Sequence, residues 1–128
     1  MLKHVFLYSA LFWSGTILFL CLMKSSDIPQ INMPNLDKVI HVFFHFVFTV
    51  LWFLFFKKKL NSSNSFRSLA ISFVFSFFFG IVIEMMQQFF TTTREGDILD
   101  IVANLFGAAL AVIAIVLLNK FNGIVDKI

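Results

Sequence analysis

The chain has 128 residues, of which 59% are hydrophobic, 20 are phenylalanine and only 13% are charged. Too few polar residues remain to cover a soluble globule of this size, so the composition predicts an integral membrane protein. The net charge is +3 at pH 7, but no nucleic-acid-binding motif accompanies it, and we expect no nucleic-acid partner.

Four apolar stretches have the length that a helix rising ~1.5 Å per residue needs to cross a hydrocarbon core of about 30 Å. The connections between them are short, as between neighbouring antiparallel helices. The sequence therefore predicts an all-α membrane protein, with one four-helix transmembrane domain over residues 1–128. The predicted helices cover residues 5–23, 39–56, 68–90 and 98–118.

Basic residues set the expected orientation, because short loops rich in Lys and Arg stay on the cytoplasmic side. In a four-pass topology seven basic residues fall on one side, namely Lys3, Lys57, Lys58, Lys59, Arg67, Lys120 and Lys127. Three fall on the other side, namely Lys24, Lys38 and Arg94. We therefore expect both termini in the cytoplasm of a multi-pass plasma-membrane protein, with Lys57–Lys59 in an inner loop. The first stretch is expected to be an anchor, because its apolar core exceeds that of a signal peptide.

Polar residues recur at helical spacing near the outer end of the last three predicted helices. His45, Glu84 and Asn104 each lie about six residues inside their apolar stretch, which is on the order of 9 Å below the membrane boundary. We expect these faces to meet in a polar pocket near the extracytoplasmic face. The predicted lining is Asp37, Lys38, His41, His45, Glu84, Gln87, Gln88, Arg94, Asp97, Asp100 and Asn104.

Glu84 is the residue of this set that is most costly to bury. An ionisable group at membrane depth costs at least about 2.5 to 3.5 kcal/mol on insertion scales unless it finds a partner. Two solutions are open: Glu84 stays protonated, or it pairs with Arg94, the alternative that we favour. The competing interpretation of the whole set is that polar side chains only fix helix packing, at roughly 0.6 kcal/mol each.

The same polar residues carry a family resemblance. Asp37-Lys38-x-x-His41, followed by Gly80-x3-Glu84-x2-Gln87-x6-Arg94-x5-Asp100-x3-Asn104-x2-Gly107, resembles the pattern of the VanZ-like family of small bacterial membrane proteins. Pro29 and Pro34 before this pattern are similar to that family too. Two positions depart from it: Ala111 replaces a glycine, and Gln88 doubles the glutamine. The family's namesake is linked to resistance to teicoplanin, a lipoglycopeptide antibiotic, so the resemblance implies a role at the cell envelope.

Three classes of function remain open. The first is a binding module whose outer pocket takes a lipid, a lipid-linked envelope precursor or a lipoglycopeptide, with glycopeptide resistance as one outcome. The second is an acid-base enzyme acting on a lipid or lipid-linked precursor, with His41, His45 and Glu84 as candidate catalytic residues. For that class no nucleophile is expected, because we assign no Ser or Cys to the polar faces.

The third class is a small transporter, which the absence of ionisable residues from the inner helix halves disfavours. Oligomerisation through Gly107 and Ala111 stays open. We expect no cofactor and no metal, because His41 and His45 share a face but their segment lacks the glutamate of H-E-x-x-H.

Overall fold

A computed structural model of the chain describes residues 2–22, 36–60, 65–90 and 98–123. Within these ranges all the regular structure is helical, and each helix contains a stretch long and apolar enough to cross a membrane. The predicted all-α fold with four membrane-spanning helices is confirmed. The helices are α1 (Leu2–Leu22), α2 (Leu36–Leu60), α3 (Ser65–Phe90) and α4 (Ile98–Asn122).

The helices extend beyond the apolar stretches from which they were predicted. Lys57–Lys59 form the last turn of α2 rather than a loop, and Lys57 is largely buried. Helical hydrogen bonds do not depend on apolar side chains, and basic residues in a last turn interact favourably with the helix dipole. α4 stops at Gly123, whose φ of 60° and 2.8 Å hydrogen bond to the Asn119 carbonyl cap the helix in the left-handed conformation.

Helix α2 packs against the three other helices and is the centre of the bundle. Towards α1 and α3 it presents stacked aromatic side chains, and the Phe48 and Phe79 rings lie almost parallel with centroids 4.5 Å apart. We call this set the aromatic core; it consists of Phe44, Phe48, Trp52, Phe55, Phe75 and Phe79. Large apolar side chains such as Phe12, Phe78 and Phe106 are exposed on the outside of the bundle, where lipid chains would contact them.

Two indole groups attach α1 to α2. Trp13 Nε1 donates to the Phe44 carbonyl at 2.9 Å, and Trp52 Nε1 donates to Ser14 Oγ at 3.1 Å. Each bond satisfies a polar atom that lipid would leave without a partner. Hydrogen bonds as well as ring packing therefore fix the position of α1.

Candidate functional site

Polar side chains meet where α2 and α4 begin and α3 ends. Lys38 lies in the first turn of α2, and Asp100 lies in the first turn of α4. The Lys38 Nζ donates to Asp100 Oδ1 at 2.5 Å, and the two side chains keep 23% and 10% of their surface exposed. This ion pair therefore forms the rim of the polar region at the end of the helix bundle.

His41 lies about one helical turn deeper and links the ion pair to the bundle interior. Its Nδ1 lies 3.1 Å from Asn104 Oδ1, and its Nε2 lies 3.7 Å from Asp100 Oδ2. With Asn104 oriented in this way, the Nδ1 contact corresponds to an N–H that donates to the amide oxygen, because an amide oxygen only accepts hydrogen bonds. The other ring nitrogen, Nε2, faces the Asp100 carboxylate.

Helix α3 adds Glu84, a third side chain of a type that binds metal ions. Glu84 is buried, as are His41 and Asp100, and one ligand atom from each of the three residues lies within 4.8 Å of the others. We define the polar cluster as Lys38, His41, Glu84, Asp100 and Asn104. Three helices supply its members. The depths in the sequence matched His45, rather than His41, with Glu84 and Asn104.

Two glycines permit the close approach of the helices around the polar cluster. A Cβ atom added to Gly107 of α4 would overlap the Val42 carbonyl of α2. A Cβ added to Gly80 of α3 would lie 2.8 Å from Asn104 Nδ2 and 3.2 Å from His45 Cε1. Glycine at these positions brings Asn104 and Asp100 within reach of α2.

His45 makes a different contact from His41. Its Nδ1 lies 2.8 Å from Ser76 Oγ, and both side chains are buried. The expectation that no serine lies on the polar faces is therefore wrong. The overlooked signal is the four-residue spacing of Ser68, Ser72 and Ser76, which places three buried serines on one face of α3 in line with Glu84.

The two adjacent glutamines of α3 differ in their surroundings. Gln87 is buried and donates from Nε2 to the Cys21 carbonyl at 2.7 Å, so it tethers the end of α1. Gln88 is exposed and does not join the polar cluster. The predicted Glu84–Arg94 ion pair, Asp97 and the Asp37 side chain lie outside the described residues.

The polar face of α3 extends along the bundle. Beyond Ser76 it continues with Ser72 and Ser68, and Thr49 of α2 is also fully buried. An apolar cluster lies at the level of Ser68, formed by Phe53, Leu69 and Ile115. On α2, Phe53 therefore separates Thr49 from Lys57.

The polar cluster combines four kinds of chemical group. Carboxylates attract cations, the Lys38 ammonium attracts anions, and the His41 imidazole faces Asn104 with one ring nitrogen and Asp100 with the other. Asn104 holds the His41 ring in one orientation. The arrangement is therefore suited to binding a charged group that approaches from the end of the bundle.

Comparison with known proteins places this arrangement in a family. The model of the VanZ/LLP1 family matches residues 4–119, which include every member of the polar cluster. A similar curated protein is the uncharacterized protein C11E3.10 of the fission yeast Schizosaccharomyces pombe, which is 34% identical over 92 residues. That match covers 72% of this chain and 54% of the relative, so the chain spans about half the length of the curated protein.

No solved structure matches the chain. The family match extends across all four apolar helices and agrees with the resemblance found in the sequence. The chain therefore belongs to the VanZ/LLP1 family and is a multi-pass membrane protein with four helices of membrane-spanning length.

Proposed function

We propose that this protein binds the charged headgroup of a lipidic cell-envelope ligand in the polar cluster. One observation carries the proposal: ionisable side chains from three helices are buried together at one end of a bundle whose outside is apolar. Burying ionisable groups is costly even where they pair with one another, as Lys38 and Asp100 do, and packing alone requires none of them.

The geometry of the rim favours a ligand that resides in the membrane. Lys38 is the most exposed member of the cluster, and it lies with Asp100 in the first turns of α2 and α4, near the ends of the two apolar spans, which fits the level of lipid headgroups. A lipid places its charged group at this level while its chains contact the apolar outside of the bundle. The ammonium of Lys38, which pairs with Asp100 on one side, is the group of the cluster that would contact an anionic headgroup.

The charge pattern supports a location of the cluster in the extracytoplasmic leaflet of the plasma membrane. Basic residues concentrate at the opposite ends of the helices, as cytoplasmic segments do. Teicoplanin resistance, which the family's namesake suggests, fits a ligand on this side. A relative in a fission yeast favours a ligand common to bacteria and eukaryotes, such as an anionic phospholipid, over a glycopeptide alone.

The test is native mass spectrometry of the full chain in mild detergent, with phosphatidylglycerol or phosphatidylcholine as the lipid. We expect the wild-type protein to retain phosphatidylglycerol preferentially, and the Lys38→Gln variant to lose that preference. Lys59→Gln is the matched control, because Lys59 is an exposed lysine at the other end of the same helix. Equal retention of both lipids by the wild-type protein and both variants would contradict the proposal.

An enzyme acting on the same lipid is the second candidate. His41 favours it, because a buried imidazole held between Asn104 and the Asp100 carboxylate suits general acid-base catalysis. A catalyst would change the lipid extract of expressing cells, and the Glu84→Gln variant would abolish that change while its membrane level stays normal. A binding protein would leave the extract unaltered in both cases.

Teicoplanin susceptibility of a sensitive Gram-positive host tests the envelope role separately. Protection by the wild-type chain and not by Glu84→Gln, at equal membrane levels in immunoblots, would link the cluster to resistance. Equal protection by both chains would assign resistance to another part of the molecule.

A further inference from the structure

We infer that His41, Glu84 and Asp100 form a binding site for a divalent metal ion of the Mn²⁺ or Zn²⁺ class. The three side chains come from three different helices, and their ligand atoms lie within 4.8 Å of one another. Ligands of one such ion bind at ~2.0 to 2.2 Å, so two of them are at most about 4.4 Å apart. Side-chain shifts of a few tenths of an ångström suffice to close the site.

The position of the His41 ring suits a metal ligand. Its Nδ1 lies 3.1 Å from Asn104 Oδ1, and its Nε2 faces Asp100 Oδ2 at 3.7 Å. In the tautomer that carries its hydrogen on Nδ1, the Nε2 lone pair faces the carboxylate, and a proton or a metal ion between the two atoms makes that contact favourable. Metal-binding histidines commonly donate their other ring N–H to an oxygen acceptor in this way, which fixes the ring orientation.

The carboxylates support the same conclusion. Glu84 and Asp100 bring oxygen atoms within 4.8 Å in a buried setting, and two carboxylates at this separation are able to bind one divalent ion together. Lys38 occupies Asp100 Oδ1 and leaves Oδ2 directed towards His41, so the ion pair and a metal ion use different oxygen atoms.

The donor set defines the class of metal. One imidazole nitrogen with two carboxylate oxygens suits Mn²⁺, Zn²⁺ or Fe²⁺, whereas Cu⁺ prefers sulfur ligands. Three protein ligands leave coordination positions for water or for an oxygen of a bound phosphate. Binding of a phosphate oxygen to the metal ion rests on the proposed lipid-binding function, whereas the metal site itself does not depend on that function.

Metal binding by the full chain in detergent, without added lipid, tests the inference. After chelator treatment and equilibration with Mn²⁺ or Zn²⁺, elemental analysis should find about one ion per chain for the wild-type protein. His41→Gln should lower that occupancy at least tenfold. His4→Gln and His45→Gln are the matched controls, because His4 is exposed and His45 is bonded to Ser76; both should keep the ion.

A variant that gains a spectroscopic signal separates metal binding from misfolding, because misfolding removes signals and does not create them. The His41→Cys variant loaded with Co²⁺ should show thiolate-to-cobalt charge-transfer absorption, and the His45→Cys variant and the wild-type protein with Cys21 should not. Absence of bound metal from the folded wild-type protein would overturn the inference, as would equal occupancy in His41→Gln. Because lipid retention is measured separately, a metal-free protein that still selects phosphatidylglycerol would leave the proposed function standing.

Discussion

The polar cluster and the aromatic core are both built around α2, but different forces hold them. In the aromatic core, rings such as Phe48 and Phe79 touch several neighbours through contacts that have little directional preference. In the polar cluster, each bond has a defined donor and acceptor, as between Lys38 and Asp100. Volume-conserving changes are therefore tolerated in the core, whereas removing one polar group leaves a buried partner unsatisfied.

The contrast shows how a small bundle holds together in lipid. Lipid chains are as apolar as phenylalanine, so helices gain little from burying apolar area and depend on close packing and interhelical hydrogen bonds. The α1 side uses ring packing and two indole hydrogen bonds. Helix α4 is held by close backbone packing of Gly107 against Val42. The polar contacts of Asp100 and Asn104 hold it nearer the end of the bundle.

Replacement of Phe48 by alanine should cause the largest loss of stability. Phe48 is 1% exposed and packs against Trp52, Phe75 and Phe79, so its truncation leaves a cavity and costs about 3 kcal/mol. Denaturation with SDS in mixed micelles measures the change. Phe78→Ala is the control, because Phe78 is 58% exposed and its loss should change the free energy of unfolding by less than about 0.5 kcal/mol.

The polar cluster should survive this change. At temperatures where Phe48→Ala is folded, its metal occupancy and lipid retention should equal those of the wild-type protein. Loss of both in the folded variant would mean that the aromatic core and the polar cluster form one unit, and the comparison between them would fail.

Hydropathy and helical periodicity predicted most of this architecture. Four apolar stretches located four helices because backbone hydrogen bonds at membrane depth must be satisfied within the segment. Depth and helical phase also predicted a polar pocket made by α2, α3 and α4, but they placed His45, not His41, at the depth of Glu84 and Asn104. The predicted helices were too short at their charged ends. An apolar stretch marks the part that can cross the membrane, whereas the helix itself continues into charged residues such as Lys57.

The sequence did not predict which residues of adjacent helices contact each other. Helical phase tells which side of α2 carries His45, but it does not tell which residue of α3 lies opposite, so Ser76 was overlooked. Gln87 and Gln88 were both assigned to the pocket, yet adjacent residues differ by about 100° around a helix and only Gln87 is buried. The sequence did not predict the aromatic core either, because consecutive phenylalanines point to all sides of a helix and do not indicate which side is buried.

Replacement of Gly107 by alanine should have an intermediate effect on stability and a stronger effect on the site. The added Cβ meets the Val42 backbone, which is unable to rotate away as a side chain does, so overpacking should cost about 2 kcal/mol. Moving α4 away from α2 separates Asp100 and Asn104 from His41, and metal occupancy should fall with stability. Gly15→Ala is the matched control, because nothing lies within 4 Å of its added Cβ.

An equal midpoint of unfolding for Gly107→Ala and Gly15→Ala would show that α2 and α4 are not in backbone contact. That result would remove the packing argument for the polar cluster. Normal stability with lost metal occupancy would instead indicate a local shift of α4 that the bundle accommodates.

Replacement of Ser76 by alanine should produce the smallest effect and locate the boundary of the polar cluster. The change leaves His45 Nδ1 buried without its serine partner, which costs about 1 kcal/mol. Ser72→Ala one turn away is the matched control, because Ser72 Oγ bonds the Ser68 carbonyl of its own helix and its loss should change little. His45 lies outside the proposed ligand set, so Ser76→Ala should keep full metal occupancy; a loss as large as that of His41→Gln would extend the site to the His45–Ser76 pair.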